Sequence, residues 1–152
     1  GIVGTPNFIA PEAIQNPDAA DARSDIYSVG VLAYFLLTGQ YVFEGETIAE
    51  VCHHHLYDKP QLPSAGTGIA FDPHLEAIVM RCLEKDPAAR PQSAADLIEA
   101  LAQCESATQW TPPLRAAWWK SFRESPVPAP VLPTKGITRE KTVKIDIDER
   151  TA

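Results

Sequence analysis

The sequence predicts a mainly α fold followed by a Pro-rich tail. Three observations carry that reading. Segment after segment, as far as residue 104, places apolar residues at helical spacing between a Ser or Asp start and a Gly or Pro stop. No strand-like alternation interrupts this succession. Beyond it, Pro126, Pro128, Pro130 and Pro133 mark an extended, semi-rigid linker.

Residues 1 to about 24 read as an irregular segment with one short helix, punctuated by Pro6, Pro11, Asn16-Pro17 and Asp18. Ser24 is the expected N-cap of the next helix, with Asp25 in its first turn, where the helix dipole favours an anion. From Ile26 to Leu37 that helix is apolar nearly all round, which places it inside the domain with Leu36 among its buried side chains. Thr38-Gly39 ends it, glycine supplying the left-handed cap. A second helix runs from Glu46 to about His55 and is closed off by Lys59-Pro60, before a loop rich in Pro, Ser and Gly from Gln61 to Gly68.

Asp72 caps a third helix with Pro73 at its first position. Its stripe is Leu75, Ile78, Val79, Cys82 and Leu83, and Lys85-Asp86-Pro87 stops it. Ser93 caps a fourth helix with the stripe Ala94, Leu97, Ile98 and Leu101. Thr111-Pro112 opens a short helix through Phe122, with Leu114, Trp118 and Phe122 on one stripe and Arg115, Lys120 and Arg123 around it. Thr142 to Asp148 alternates strictly, a strand pattern that needs a partner sheet.

Bulk properties narrow the function classes. A net charge of −7 argues against nucleic-acid binding, because such domains carry a basic footprint. Cys52, Cys82 and Cys104 are widely spaced and odd in number, which suggests neither a zinc pair nor a disulfide framework and makes a reduced, cytoplasmic compartment the expectation. The apolar run from Val29 to Leu37 is too short to span a bilayer. The first residue is Gly, not Met, and the chain is read as a piece of a longer one.

Three motifs stand in order. They are Gly4-Thr5-Pro6-Asn7-Phe8-Ile9-Ala10-Pro11-Glu12, then Ser24-Asp25-Ile26-Tyr27-Ser28-Val29-Gly30, then Cys82-Leu83-Glu84-Lys85-Asp86-Pro87-Ala88-Ala89-Arg90-Pro91. The first resembles the end of the activation segment of eukaryotic-type protein kinases, closing on Ala-Pro-Glu. The second resembles the start of the central helix of the kinase large lobe, and the third the late segment that carries the family's structural Arg. The order and spacing fit bacterial-type serine/threonine kinases of this family.

The resemblance implies a fold class and a domain plan. Residues 1–104 are the helical large lobe (C-lobe) part of a protein kinase domain, 105–123 a Trp-rich helical extension, and 124–152 a Pro-rich linker and tail. It implies transfer of the ATP γ-phosphoryl group to Ser or Thr hydroxyls of protein substrates, with ATP and Mg as cofactors of the complete parent. The Gly-rich loop, the ATP-anchoring Lys and the catalytic and metal-binding acids of the family have no counterpart in this sequence. No catalytic residue, cofactor site or metal site is therefore assigned to it. The missing N-terminal part of the kinase domain is an implied partner, and the parent is compatible with a membrane anchor elsewhere.

The same resemblance gives roles to particular residues. Thr5 and Pro6 match the Gly-Thr-Pro of Ser/Thr-specific members, and with Phe8, which stands where many relatives carry Tyr, they contribute to the peptide-substrate site. Glu12 and Arg90 form a structural ion pair between the activation segment and the floor of the lobe. Arg suits that position because its planar fork binds a carboxylate bidentately. Asp25 holds the catalytic loop in shape in such kinases, and that loop has no counterpart here. The alternative function is a non-catalytic interaction module or pseudokinase lobe.

Two segments invite other chemistry. His53-His54-His55 suggests a metal, but adjacent helical residues point about 100° apart and do not converge on one ion, so the expectation is a polar helix end facing solvent or the lobe surface. The basic, Trp-rich helix is expected to pack back on the lobe, with contact to a membrane surface or a partner groove as the alternative. Thr134, Thr138, Thr142 and Thr151 lie near basic residues in a stretch read as solvated linker.

Overall fold

The computed structural model describes residues 2–125 and 143–145. The element order is β1 (Ile2–Gly4), α1 (Pro11–Gln15), α2 (Ala22–Thr38), α3 (Ile48–Tyr57), α4 (Pro63–Thr67), α5 (Pro73–Cys82), α6 (Ala94–Ala102), α7 (Glu105–Gln109), α8 (Pro112–Glu124) and β2 (Val143–Ile145). Short 3-10 turns at Pro6–Phe8, Pro17–Ala19 and Pro87–Ala89 join them. The architecture is helical, as the sequence predicts. One addition is β1, which pairs antiparallel with β2, Ile2 opposite Ile145 and Gly4 opposite Val143. The alternating segment near residue 143 thus has its partner strand at the other end of the chain. The prolines at 126–133 and the tail threonines lie outside the described residues.

The helix α2 is the centre of the lobe. It begins earlier than the sequence suggests, because Asp21, not Ser24, is its N-cap. The Asp21 carboxylate accepts from Arg23 N–H, and Ser24 at the third helical position returns a bond to the Asp21 backbone N–H, a capping box. Gly39 closes the helix at φ 71°, the left-handed value that favours glycine.

Tyr27, Gly30, Val31 and Tyr34 form the buried stripe of α2, at i, i+3, i+4 and i+7. Tyr27, Val31 and Tyr34 join Ala10, Val42, Val79 and Leu83 in the main core. Close approach of α5 explains Gly30: a Cβ there would lie 2.6 Å from the Cys82 Cβ.

The expectation that α2 is buried all round does not hold. Val29, Leu32 and Leu36 lie on its far side, and Leu36 is 74% exposed. Ile26 is also buried, against Cys82 and Leu97, but the core does not reach the side of Val29, Leu32 and Leu36, so an apolar composition around the whole helix does not become burial around the whole helix.

The helix α3 starts at Ile48 behind a Thr47 cap and runs to Tyr57, two residues past the expected end. A single turn, α4, lies inside the expected loop. Asp72 caps α5 as expected, accepting from the N–H groups of His74 and Leu75, with Pro73 at the first position. Ser93 caps α6, whose Leu97 is buried while Ile98 is exposed. Cys52, Cys82 and Cys104 are all buried free thiols.

Thr111 and Pro112 begin α8, as the sequence suggests. The helix does not pack back on the lobe: every residue from 105 to 125 is exposed. Among the described residues, the aromatic side chains of its stripe stack on one another.

Candidate functional site

Two short segments far apart in sequence meet at a buried guanidinium. Pro11 starts α1 and sets Glu12 in its first turn, while the 3-10 turn Pro87–Ala89, capped by Asp86, delivers Arg90 in front of Pro91. Arg90 is fully buried, and the Glu12 side chain is 13% exposed. The pairing is bidentate: Nη1 donates to Glu12 Oε1 at 2.7 Å and Nη2 to Oε2 at 2.8 Å.

The remaining guanidinium donors go to backbone carbonyls, Nε to Glu84 at 2.7 Å, Nη1 to Arg23 at 3.0 Å and Nη2 to Lys85 at 3.0 Å. All five donors of the fork are therefore satisfied. The Ser24 hydroxyl donates to Glu12 Oε1 at 2.7 Å. Burial alone would raise the Glu12 carboxyl, but the hydrogen bonds from Arg90 and Ser24 outweigh it and hold the group below the usual carboxylate range. The Arg90 guanidinium also lies 4.9 Å from the centre of the Tyr27 ring.

Tyr27 leads to a second buried group. Its hydroxyl meets His55 Nδ1 at 2.8 Å, and His55 is fully buried. The expectation of a polar helix end facing solvent or the lobe surface does not extend to His55, which lies inside the lobe. Successive residues of α3 point to different sides, and position 55 shares the inward stripe with Val51 and Cys52. Burial, followed by the nearby Lys85 charge, pushes its pKa down to about 4, so the ring is neutral. Nε2 is buried without a hydrogen bond of good geometry, and the Asn7 backbone is the polar group beside it.

Lys85 closes the end of α3. Its ammonium donates to the carbonyls of His55 at 2.6 Å and His54 at 3.2 Å, and sits 4.5 Å from the Phe43 ring centre. Burial pushes its pKa down to about 8, against the attraction of Asp58.

The Pro6–Phe8 turn rests on this framework. Asn7 is buried, Pro6 and Phe8 are half-buried, and Thr5 is exposed. The Phe8 carbonyl accepts from the Ser28 hydroxyl at 2.7 Å, and the Phe8 ring meets Tyr41 edge-on at 6.1 Å. Asp25 is exposed in the first turn of α2. The structure thus brings Glu12 and Arg90 together, sets Thr5, Pro6 and Phe8 on one turn over α2, and leaves Asp25 apart from both.

Sequence reasoning does not find Ser24 as a Glu12 partner, or the Tyr27–His55–Lys85 group. The available signals are that Ser24 and Tyr27 share the second motif and that Lys85 shares the third with Arg90.

Among the described residues, His53, His54 and Asp58 have donor atoms close enough to hold a metal, all within 4.8 Å. Two imidazoles and one carboxylate do not fit Mg, which prefers oxygen ligands. The carboxylate is already engaged, 2.6 Å from His54 Nδ1.

The sequence that builds this lobe has counterparts among known proteins. The family model described as the protein kinase domain matches residues 1–103. The chain belongs to the protein kinase family. It is 38% identical over 97 residues to the serine/threonine-protein kinase PknB of Mycobacterium tuberculosis, a match covering 63% of this chain and 15% of that protein. It is 34% identical over 112 residues to the serine/threonine-protein kinase PksC of Streptomyces coelicolor, covering 74% and 20%. It is 39% identical over 115 residues to the serine/threonine-protein kinase pkn2 of Myxococcus xanthus, covering 74% and 14%. The chain therefore spans a fifth or less of the length of these relatives.

Proposed function

We propose that this chain is the large-lobe portion of a serine/threonine protein kinase, whose complete form transfers the γ-phosphoryl group of ATP to Ser or Thr hydroxyls of cytoplasmic proteins. In that reading the chain supplies scaffold and part of the peptide-substrate shelf. Nucleotide and metal are held by residues outside it, and the chain by itself is inactive. Thr5 contacts the catalytic groups of the completed domain, and Pro6 and Phe8 shape the pocket beside the phosphoacceptor.

The observation that supports this best is the Glu12–Arg90 pair, which fixes the Thr5–Phe8 turn against the lobe floor from the C-terminal side. Positioning is a large part of phosphoryl-transfer catalysis, so a rigid shelf is a functional part even without a reacting group. A second reading, a non-catalytic interaction module, is favoured by one feature, the uncovered aromatic face of α8.

The test is a chimera. Residues 1–104 are placed behind the part of Mycobacterium tuberculosis PknB that precedes its matching region. The expected result is phosphate transfer from Mg-ATP to Ser or Thr of a protein substrate, slowed on the order of 10–100-fold by Thr5→Ala. A folded chimera without transfer, or one that labels only Tyr, overturns the reading.

A further inference from the structure

The helix α8 is 13 residues long and none of it touches the core. Leu114, Trp118 and Phe122 follow one another at i, i+4 and i+8, and Trp119 widens that face. With Trp110, which lies just ahead of the helix, these side chains are each 36–49% exposed. They stack on one another, not on the lobe. Trp118 and Phe122 lie parallel at 5.2 Å, Trp119 meets Trp118 edge-on at 4.8 Å, and Trp110 reaches Trp118 at 6.2 Å. The result is a continuous apolar slab along one side of the helix.

The charges on α8 run against those of the chain. The whole sequence carries −7, yet α8 holds Arg115, Lys120 and Arg123 against Glu124 alone. Glu124 sits only loosely by Lys120, at 4.0 Å with both exposed. Lys120 occupies the side opposite the aromatic slab, and Arg123 borders the slab at its Trp119 edge. Arg115 sits within its arc, where a long stem can lie along apolar surface while its head stays in water.

From these observations we infer that α8 is an interfacial helix that binds an anionic lipid surface. Its aromatic slab enters the boundary of headgroups and acyl chains, and its three cations meet lipid phosphates. Indole rings favour that depth because they pair an apolar body with a polar N–H. The helix lies along the surface. None of the described helices is long and apolar enough to cross a membrane. The rest of the chain carries net negative charge, so attraction to that surface is strongest at α8 among the described helices. The inference does not rest on the kinase reading.

The three tryptophans of the chain are Trp110, Trp118 and Trp119, so tryptophan emission, excited selectively over tyrosine, reports on this segment alone. The full chain is titrated with vesicles of phosphatidylcholine, with and without phosphatidylglycerol, and bound protein is measured by sedimentation. The expected result is a blue shift and co-sedimentation with the anionic vesicles, weakened by added salt. Replacing Arg115, Lys120 and Arg123 together by Gln should cut partitioning roughly 100-fold. Trp118→Ser with Trp119→Ser should abolish it. All five positions are exposed, and circular dichroism checks that the lobe stays folded. No shift and no pelleting with anionic vesicles overturns the inference, as does equal binding to both vesicle types. It is also overturned if the emission is already blue-shifted in buffer at every concentration, meaning that the chain covers its own slab. Blue-shifting with protein concentration alone would overturn it in favour of a second copy.

Discussion

Arg90 has no route to water, and its charge is balanced inside the lobe. Removing it leaves the Glu12 carboxylate half-compensated and takes one donor from each of three backbone carbonyls. Arg90→Leu should therefore cost about 3–5 kcal/mol in denaturant unfolding. Glu12→Gln should cost less, since Arg90 keeps its backbone partners. The double variant should cost less than the two singles added, by about 1–3 kcal/mol. Additivity within about 0.5 kcal/mol would mean that the two side chains do not act as a unit. This pair was legible only through the resemblance of its two motifs to the protein kinase family, since two charges 78 residues apart give no sign of pairing by themselves. Ser24 was harder to place. Its local pattern fits a helix cap, and only the fold reveals that its hydroxyl turns toward α1. His55 was missed because a run of identical residues hides which one faces inward, and that depends on helix phase against a core not yet built.

The contact between α2 and α5 shows how much an element can say before its neighbours are known. Capping and stop signals located α2, α5 and α6 to within a few residues, because those signals act within one turn. The buried side was legible only for α5 and part of α6. In α2 the apolar residues surround the helix, so periodicity could not select the Tyr27–Tyr34 face, and Leu36 falls on the open side. The structure separates the two sides by experiment. Leu36→Ala should change stability by no more than about 0.5 kcal/mol. Leu83→Ala, in the core that α2 buries, should cost about 2–5 kcal/mol. Gly30→Ala tests the approach itself, because a Cβ there would be 2.6 Å from that of Cys82 and both helices would have to shift. A cost of about 1–3 kcal/mol is expected from thermal or urea unfolding. A neutral Gly30→Ala would mean that α2 and α5 are not so closely packed.

At the scale of the molecule, α1, α2, α3 and the Lys85–Arg90 segment are joined by one run of buried polar groups from Glu12 through Arg90 and Tyr27 to His55. That run makes stability depend on pH. His55 has its folded pKa lowered from 6.5 to about 4, so between those values the unfolded chain binds a proton that the folded one refuses. Stability then rises with pH across that window and falls on acidification through it. The charges facing the ring, Lys85 and His54, add to this direction, since both disfavour an imidazolium. A shift of that size corresponds to about 3 kcal/mol. Glu12 acts in the same direction at lower pH. Its folded pKa is depressed, so its contribution is present above the ordinary carboxylate value of 4.5 and is lost as pH falls through the folded value. Acid should therefore weaken the lobe in two successive limbs. Urea unfolding measured from pH 7.5 to 4 should show the first limb in the parent chain. In His55→Gln that slope should vanish, whatever the level from which the variant starts. An unchanged slope, or an imidazole of His55 that titrates near 6.5 by nuclear magnetic resonance, would show that the ring is open to water and that α3 is not seated on Tyr27 as described.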